Sequence, residues 1–215
     1  MNSQDDIHLW YFQGNGKATL IRAILFLGGV KYTDHALTFE EWAKLEKPVS
    51  TFEYGYMPVL TINGKAYSQS IAIANYLGKK LGFFGSNAEE EYEILNIILT
   101  FDEFSSPIIT SEFMQDPEAK KKKLQELNEH YLTWMLPIYE NKVANRKGKY
   151  VVGDKLSVAD VFLAHTLDLL KYRNEYFSEN IKKYASKLNA YVDDLWANDL
   201  KVFRESGKYY QGTPF

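Results

Sequence analysis

The sequence predicts a small α/β layer followed by an all-helical region. Three observations carry that reading. Strand and helix patterns alternate over roughly the first eighty residues. Asn63-Gly64 marks a tight hairpin within them. Beyond a short segment with two nearby glycines, the apolar patterns are helical. The predicted boundaries are 1–82 for the α/β domain, 83–88 for the linker and 89–215 for the helical domain.

Residues 7–12 read as a buried strand, broken by Gly14-Asn15-Gly16. Over 17–27, Leu20, Ile21, Ile24, Leu25 and Leu27 form a helical stripe, and Gly28-Gly29 supplies the glycine that a helix favours at C′. Residues 30–37 suit a second strand. Thr38-Phe39-Glu40-Glu41 is a capping box for a short helix through Trp42. An irregular loop, 47–57, leads to Pro58. Asn-Gly favours a type I′ turn, so Val59–Ile62 and 65–67 pair as a hairpin. Gln69-Ser70 then opens a helix with Ile71, Ala74 and Leu77 on one face. Its free N-terminal amides and dipole make a site for a carboxylate, with Tyr11 as the other half of the site. Plain capping by Ser68 or Ser70 is the structural alternative.

In the helical region, 89–112 and 117–143 are long helices, the second with Pro117 in its first turn. Residues 151–156 form a turn. Ser157-Val158-Ala159-Asp160 opens an apolar helix over 161–170, and further helical patterns cover 181–188 and 191–203. The segment 207–215 is aromatic and contains Gly and Pro.

Composition narrows the function. A chain of 215 residues that is 46% hydrophobic can bury a substantial core. Its 25 basic and 28 acidic residues leave a net charge of -3, which suggests no nucleic-acid or anionic-membrane partner. Lys120-Lys121-Lys122-Lys123, set between Glu118 and Glu126, reads as a solvated helix face. The absence of cysteine excludes disulfides, thiolate metal sites, a Cys nucleophile and thiol–disulfide exchange. The polar, acidic start of the chain is unlike a signal or transit peptide. No apolar run is long enough to insert in a membrane, so a cytoplasmic location is expected.

Several motifs stand in register: Leu9-Trp10-Tyr11-Phe12, Gly16-Lys17-Ala18 with Arg22, Trp42, Met57-Pro58-Val59-Leu60, the run from Gln69-Ser70 to Tyr76-Leu77, and Ser157-Val158-Ala159-Asp160. On these residues the chain resembles a cytosolic glutathione transferase, most of all the sigma class, over nearly its whole length. The resemblance implies a thioredoxin-like N-terminal domain that binds glutathione. It implies an all-α C-terminal domain that supplies much of a site for a hydrophobic electrophile. It further implies a homodimer, no metal and no permanently bound cofactor, with glutathione as co-substrate.

By the same resemblance Tyr11 is the catalytic residue. A thiol is a poor nucleophile, with a pKa near about 8.5 when free. A phenol that donates a hydrogen bond to the sulfur favours the thiolate, and a reference pKa of about 10 keeps the phenol protonated. Trp42 would contact the glycyl end of glutathione, helped by Lys44 or Lys47. Met57 and Pro58, as a cis-proline pair, would hold the cysteinyl backbone. Gln69 and Ser70 would bind the γ-glutamyl group. Asp102, or Glu103 beside it, would reach the glutamyl ammonium across the dimer interface. Lys17 stands where the family commonly has arginine, and an ammonium cannot copy the guanidinium fork. Thr19 replaces an acid, and Tyr56 stands where lysine or glutamine often precedes the cis-proline pair.

Ser157 and Asp160 resemble the family's folding N-cap, with Leu156 and Val161 as its hydrophobic staple; losing such a cap costs about 1–2 kcal/mol. Phe12, Ser105, Thr110, Phe162 and Thr166 are the candidates for the electrophile pocket, which is normally apolar with few polar groups. Sigma enzymes that isomerise prostaglandin endoperoxide tend to carry a large aromatic near Thr110, so the threonine argues against that specialisation. The activity implied is addition of the glutathione thiolate to an electrophilic substrate, with peroxide reduction or isomerisation as related chemistry. The alternative is a non-catalytic, crystallin-like structural protein with weak or no turnover.

Overall fold

The computed structural model describes residues 1, 4–111, 113–173 and 175–210, and for 131 and 132 the backbone alone. The end of the predicted helix at Glu112 and the predicted segment beyond Tyr210 lie outside the described residues. Two compact units divide the chain. One is Met1–Phe84 with Val202 onward; the other is Gly85–Lys201. Sequence patterning had assigned everything after residue 88 to the helical part. By contact, the described residues 202–210 group with the first unit, where the Phe203 ring lies 5.7 Å from that of Phe26.

The first unit is built on a four-stranded sheet in the order β2-β1-β3-β4. The strands are β1 (Ile7–Phe12), β2 (Thr33–Leu37), β3 (Val59–Ile62) and β4 (Lys65–Ser68). β1 runs parallel to β2 and antiparallel to β3, and β3 and β4 form the hairpin. Asn63 at φ 51 and Gly64 at φ 78 give the turn both positive φ values that type I′ requires. Side chains alternate along β1, with Ile7, Leu9 and Tyr11 buried. The period of two therefore puts Tyr11 on the same face as Leu9.

The unit's helices are α1 (Thr19–Leu27), α2 (Phe39–Lys44) and α3 (Ser70–Leu81). α1 ends in a Schellman motif: the Val30 N–H bonds Leu25 O, the Gly29 N–H bonds Phe26 O, and Gly29 has φ 64. This is why β2 starts at Thr33 and not at residue 30, since Val30 is held in the helix cap. The Thr38 capping box forms as the sequence predicts, with Glu41 as its partner. In α3, Ile73 joins Ala74 and Leu77 in the core, while Ile71 is half-buried.

The second unit holds α4 (Ala88–Ser111), α5 (Pro117–Ala144), α6 (Val158–Arg173), α7 (Glu175–Tyr184) and α8 (Ser186–Ala197). α9 (Lys201–Glu205) follows. α7 and α8 break at Ala185 because the Glu140 carboxylate of α5 accepts from the Lys187 and Leu188 amides. Periodicity had read 181–188 as one segment, and a cap delivered from another helix leaves no local mark. α6 is buried along nearly its whole length.

At the start of α6, Asp160 does more than cap. It is fully buried and accepts from the Ser157 amide and hydroxyl, from the Val151 amide at 3.0 Å and from the Tyr191 hydroxyl at 2.5 Å. Burial pushes its carboxyl up from the usual range, and these donors oppose that shift. The group joins the turn before α6, the helix itself and α8. Asp160→Ala therefore leaves several buried donors unpaired and is expected to cost about 3–5 kcal/mol, more than an exposed cap. Urea unfolding checks this, and a loss below about 1 kcal/mol would reduce Asp160 to a simple cap.

On the other face of the sheet, the His35 ring stacks on Trp10 at 3.7 Å, and its Nε2 lies 2.9 Å from His8 Nδ1. Burial and the neighbouring His8 lower the His35 pKa, while Asp34 opposes them. Above the ordinary imidazole range, near about pH 6.5, both folded and unfolded chains are neutral at this site. As pH falls through that range, the unfolded chain takes a proton that folded His35 resists, so stability declines until the folded group also titrates. Thermal unfolding between pH 7.5 and pH 5 is expected to show this decline, and His35→Gln to flatten part of it.

Candidate functional site

The site starts from a buried arginine. Arg22 of α1 has no exposed surface, and the Asp34 side chain of β2 is only 6% exposed. The guanidinium donates through Nε and Nη2 to both Asp34 oxygens, at 2.9 and 3.2 Å. Two further N–H groups go to Gly14 O at 2.8 Å and Phe12 O at 3.2 Å. One planar fork thus holds the end of β1 and the loop that follows it.

That loop sets Tyr11. The phenol is buried, and its oxygen accepts from the Lys17 amide at 3.1 Å. The bond uses an oxygen lone pair and not the phenolic proton. A Cβ on Gly16 would stand 2.6 Å from the Tyr11 oxygen, so glycine is required for this approach. Thr19, also buried, accepts from the Gly16 amide at 3.0 Å. The sequence reading expects the Tyr11 hydroxyl to face a cleft. In the structure that oxygen is met by the Gly16–Lys17 backbone, and Lys17 lines a cleft.

This cleft has a volume of about 290 Å³ and brings together Lys17, Met57, Pro58, Gln69 and Ser70, along with Ser68, Tyr54 and Tyr56. The Met57-Pro58 bond is cis. Gln69 is the N-cap of α3, at φ 70 and ψ 109, and makes no side-chain cap bond. A positive φ is uncommon for a residue with a Cβ, and such positions collect at ligand sites. The N-cap position falls on Gln69, not on Ser68 or Ser70. Tyr54 had no sequence signal at all; Tyr56 had only its place before the cis bond.

Other predicted residues stand apart from the cleft lining. Trp42 is half-buried, edge-on to Phe52 at 5.4 Å and to Phe12 at 6.3 Å. Lys47 lies over the Trp42 ring with Nζ 4.4 Å from its centroid, whereas Lys44 pairs with Glu40 at 2.5 Å on the exposed face of α2. Phe12 is half-buried against Phe39. In the second unit, Asp102 is half-buried and accepts from the Ser106 hydroxyl at 3.0 Å, and Glu103 is exposed. Ser105, Phe162 and Thr166 are buried there, and Thr110 is exposed with its hydroxyl bonded to Ser106 O. Among the described residues no group of three or more His, Asp or Glu is placed to hold a metal, and no helix is long and apolar enough to cross a membrane.

Comparison with known proteins adds the deciding observation. The family model for the glutathione S-transferase N-terminal domain matches residues 5–79, and that for the C-terminal domain matches residues 102–206. The chain belongs to the glutathione S-transferase family. Glutathione S-transferase 2 of Manduca sexta is 31% identical over 194 residues, spanning 85% of this chain and 93% of that protein. Glutathione S-transferase S1 of Drosophila melanogaster is 34% identical over 164 residues, spanning 76% of this chain and 64% of that protein's length. Among solved structures, prostaglandin synthase D of Nilaparvata lugens has a TM-score of 0.79 at 29% identity, covering 95% of this chain and 100% of that one. The thioredoxin-like unit with its mixed sheet and the helical unit are the fold of this family. Relatives bearing these names support transferase activity and do not favour the crystallin-like alternative.

The packing of Gly16 on Tyr11 can be tested without any ligand. Gly16→Ala must push the phenol off the Lys17 amide and is expected to destabilise by about 1–3 kcal/mol. Denaturant unfolding measures it, and unchanged stability would mean that the contact is not close in solution.

Proposed function

We propose that this chain is a glutathione S-transferase in which the Tyr11 hydroxyl stabilises the glutathione thiolate for attack on an electrophilic carbon. The observation that carries this is the Lys17 amide donating to the Tyr11 oxygen. A phenol that accepts such a bond becomes a better donor through its own proton, because hydrogen bonds polarise one another. A thiolate gains more from that donor than a thiol does, so its pKa falls.

The tripeptide is read onto the residues from its glutamyl end. The uncapped amides of Gln69 and Ser70 suit the α-carboxylate. The backbone of Met57, presented by the cis bond to Pro58, suits the cysteinyl residue, with Lys17 at the same cleft. Trp42 and Lys47 suit the glycyl end. Lys44 is the weaker candidate because Glu40 already pairs with it. Asp102 is proposed for the glutamyl ammonium in a homodimer; the exposure of Tyr92 and Leu99, two turns apart on α4, supports a covered surface there. Phe12, Ser105, Thr110, Phe162 and Thr166 are proposed for the electrophile on motif register. The sigma class is proposed on the same motifs, and Thr110 argues against prostaglandin isomerisation. A cytoplasmic location fits the composition.

Tyr11→Phe tests the central step. The thiol of bound glutathione, followed by thiolate absorbance against pH, is expected to shift up toward about 8.5. Turnover of an aryl halide at neutral pH is expected to fall about 100-fold, as when one preorganised donor is removed. If both stay unchanged, Tyr11 does not activate the sulfur.

A further inference from the structure

We infer that Asn15 and the backbone of Tyr210 form a clamp that aims the Tyr11 hydroxyl; they are positioning residues for the thiolate-activating step. This rests on the reading of Tyr11 given above. Asn15 sits between two glycines, in the loop that Arg22 holds through Gly14 O and Thr19 holds through the Gly16 amide. It is only 6% exposed. Its side-chain Nδ2 donates to Tyr210 O at 2.7 Å, and the Tyr210 N–H donates back to Asn15 Oδ1 at 3.1 Å. The amide side chain thus acts as one rung of a β-ladder with a segment 195 residues away.

The clamp continues to the phenol through short steps. The Thr19 hydroxyl lies 3.4 Å from Asn15 Oδ1 and accepts from the Gly16 amide at 3.0 Å. The next amide, Lys17, donates to the Tyr11 oxygen. A second contact runs in parallel. The Arg22 guanidinium carbon lies 4.9 Å from the Tyr210 ring centroid and 5.7 Å from that of Tyr11. The Tyr210 segment is itself anchored, since Tyr209 packs edge-on against Phe203 at 5.9 Å. Without Tyr210, the buried Asn15 amide loses both of its partners in that segment. The loop would then relax, and with it the two successive amides that place the Tyr11 oxygen.

The test uses the full chain with Asn15→Ala, with Tyr210→Pro and with both together. Proline removes the N–H that Asn15 accepts and also the ring beside Arg22, so Tyr210→Ala, which loses the ring and keeps the N–H, is measured beside it to separate the two. The bound glutathione thiol is expected to rise by about one pKa unit in each single variant, which is a roughly tenfold loss of thiolate at a pH below that range. KM for glutathione should change less than about two-fold, because the helix start that holds its carboxylate is untouched. Raising the pH should restore kcat. The double variant should be no worse than either single one, as expected for two halves of one contact. An unchanged thiol in both single variants, or losses that simply add, overturns the clamp. Should Asn15→Ala not fold, Tyr210→Pro gives the same reading alone. Tyr11→Phe is measured in parallel. If it raises the thiol pKa and the clamp variants do not, only the clamp is wrong; if it leaves the thiol unchanged, the reading of Tyr11 itself fails.

Discussion

The buried pair of Arg22 and Asp34 is the constraint on which the N-terminal unit depends. A guanidinium with no exposed surface is tolerable only when its charge is balanced and its donors are used. Asp34 supplies the charge through both oxygens, and the Phe12 and Gly14 carbonyls take further N–H groups. Breaking such a pair costs about 3–5 kcal/mol because one charge is left buried and alone. The pair therefore does not act as a surface ion bridge would. It forces α1, β2 and the loop after β1 into one arrangement, and the position of Tyr11 follows from that arrangement.

The candidate site divides into a part carried by backbone and a part carried by side chains. The end proposed for the anion consists of helix amides and a non-glycine N-cap in a positive-φ conformation. The Met57-Pro58 bond and the Lys17 amide are also main-chain features. Backbone groups are held by secondary structure and lose little entropy on binding, which favours preorganised recognition of a peptide-like ligand. The side-chain part, Trp42 with Lys47 stacked on its ring, sits on a helix that buries none of its residues. The end proposed to activate the sulfur is thus tied to the core, while the far end rests on a half-exposed aromatic cluster.

Features specified by local chemistry were legible in the sequence. The Asn63-Gly64 turn, the Thr38 capping box, the glycine cap of α1 and the Gln69-Ser70 helix start each follow from a few adjacent residues. What stayed hidden was specified by partners distant in the chain. The break between α7 and α8 depends on Glu140, and the added role of Asp160 depends on Val151 and Tyr191. Asn15 is the sharpest case, because an asparagine between two glycines reads as an ordinary turn until Tyr210 is seen beside it. Lys44 and Lys47 were equivalent on spacing, and only the Glu40 pair and the Trp42 ring separate them.

Two of the three departures from the family pattern, Lys17 and Thr19, acquire a physical account from the same geometry. The contact from residue 17 to the Tyr11 oxygen is made by a backbone amide, and every residue except proline has one. Lysine at that position therefore preserves the hydrogen bond, whatever becomes of the charge beyond it. Thr19 is fully buried, where an acid would need a compensating cation. Its hydroxyl can accept from Gly16 and also face Asn15, which a carboxylate without a proton could not do as a donor. The neutral side chains at 15 and 19 are thus mutually consistent. They add neutral hydrogen bonds to the hold that the Arg22–Asp34 pair has on the loop, and the Tyr11 oxygen keeps its amide donor.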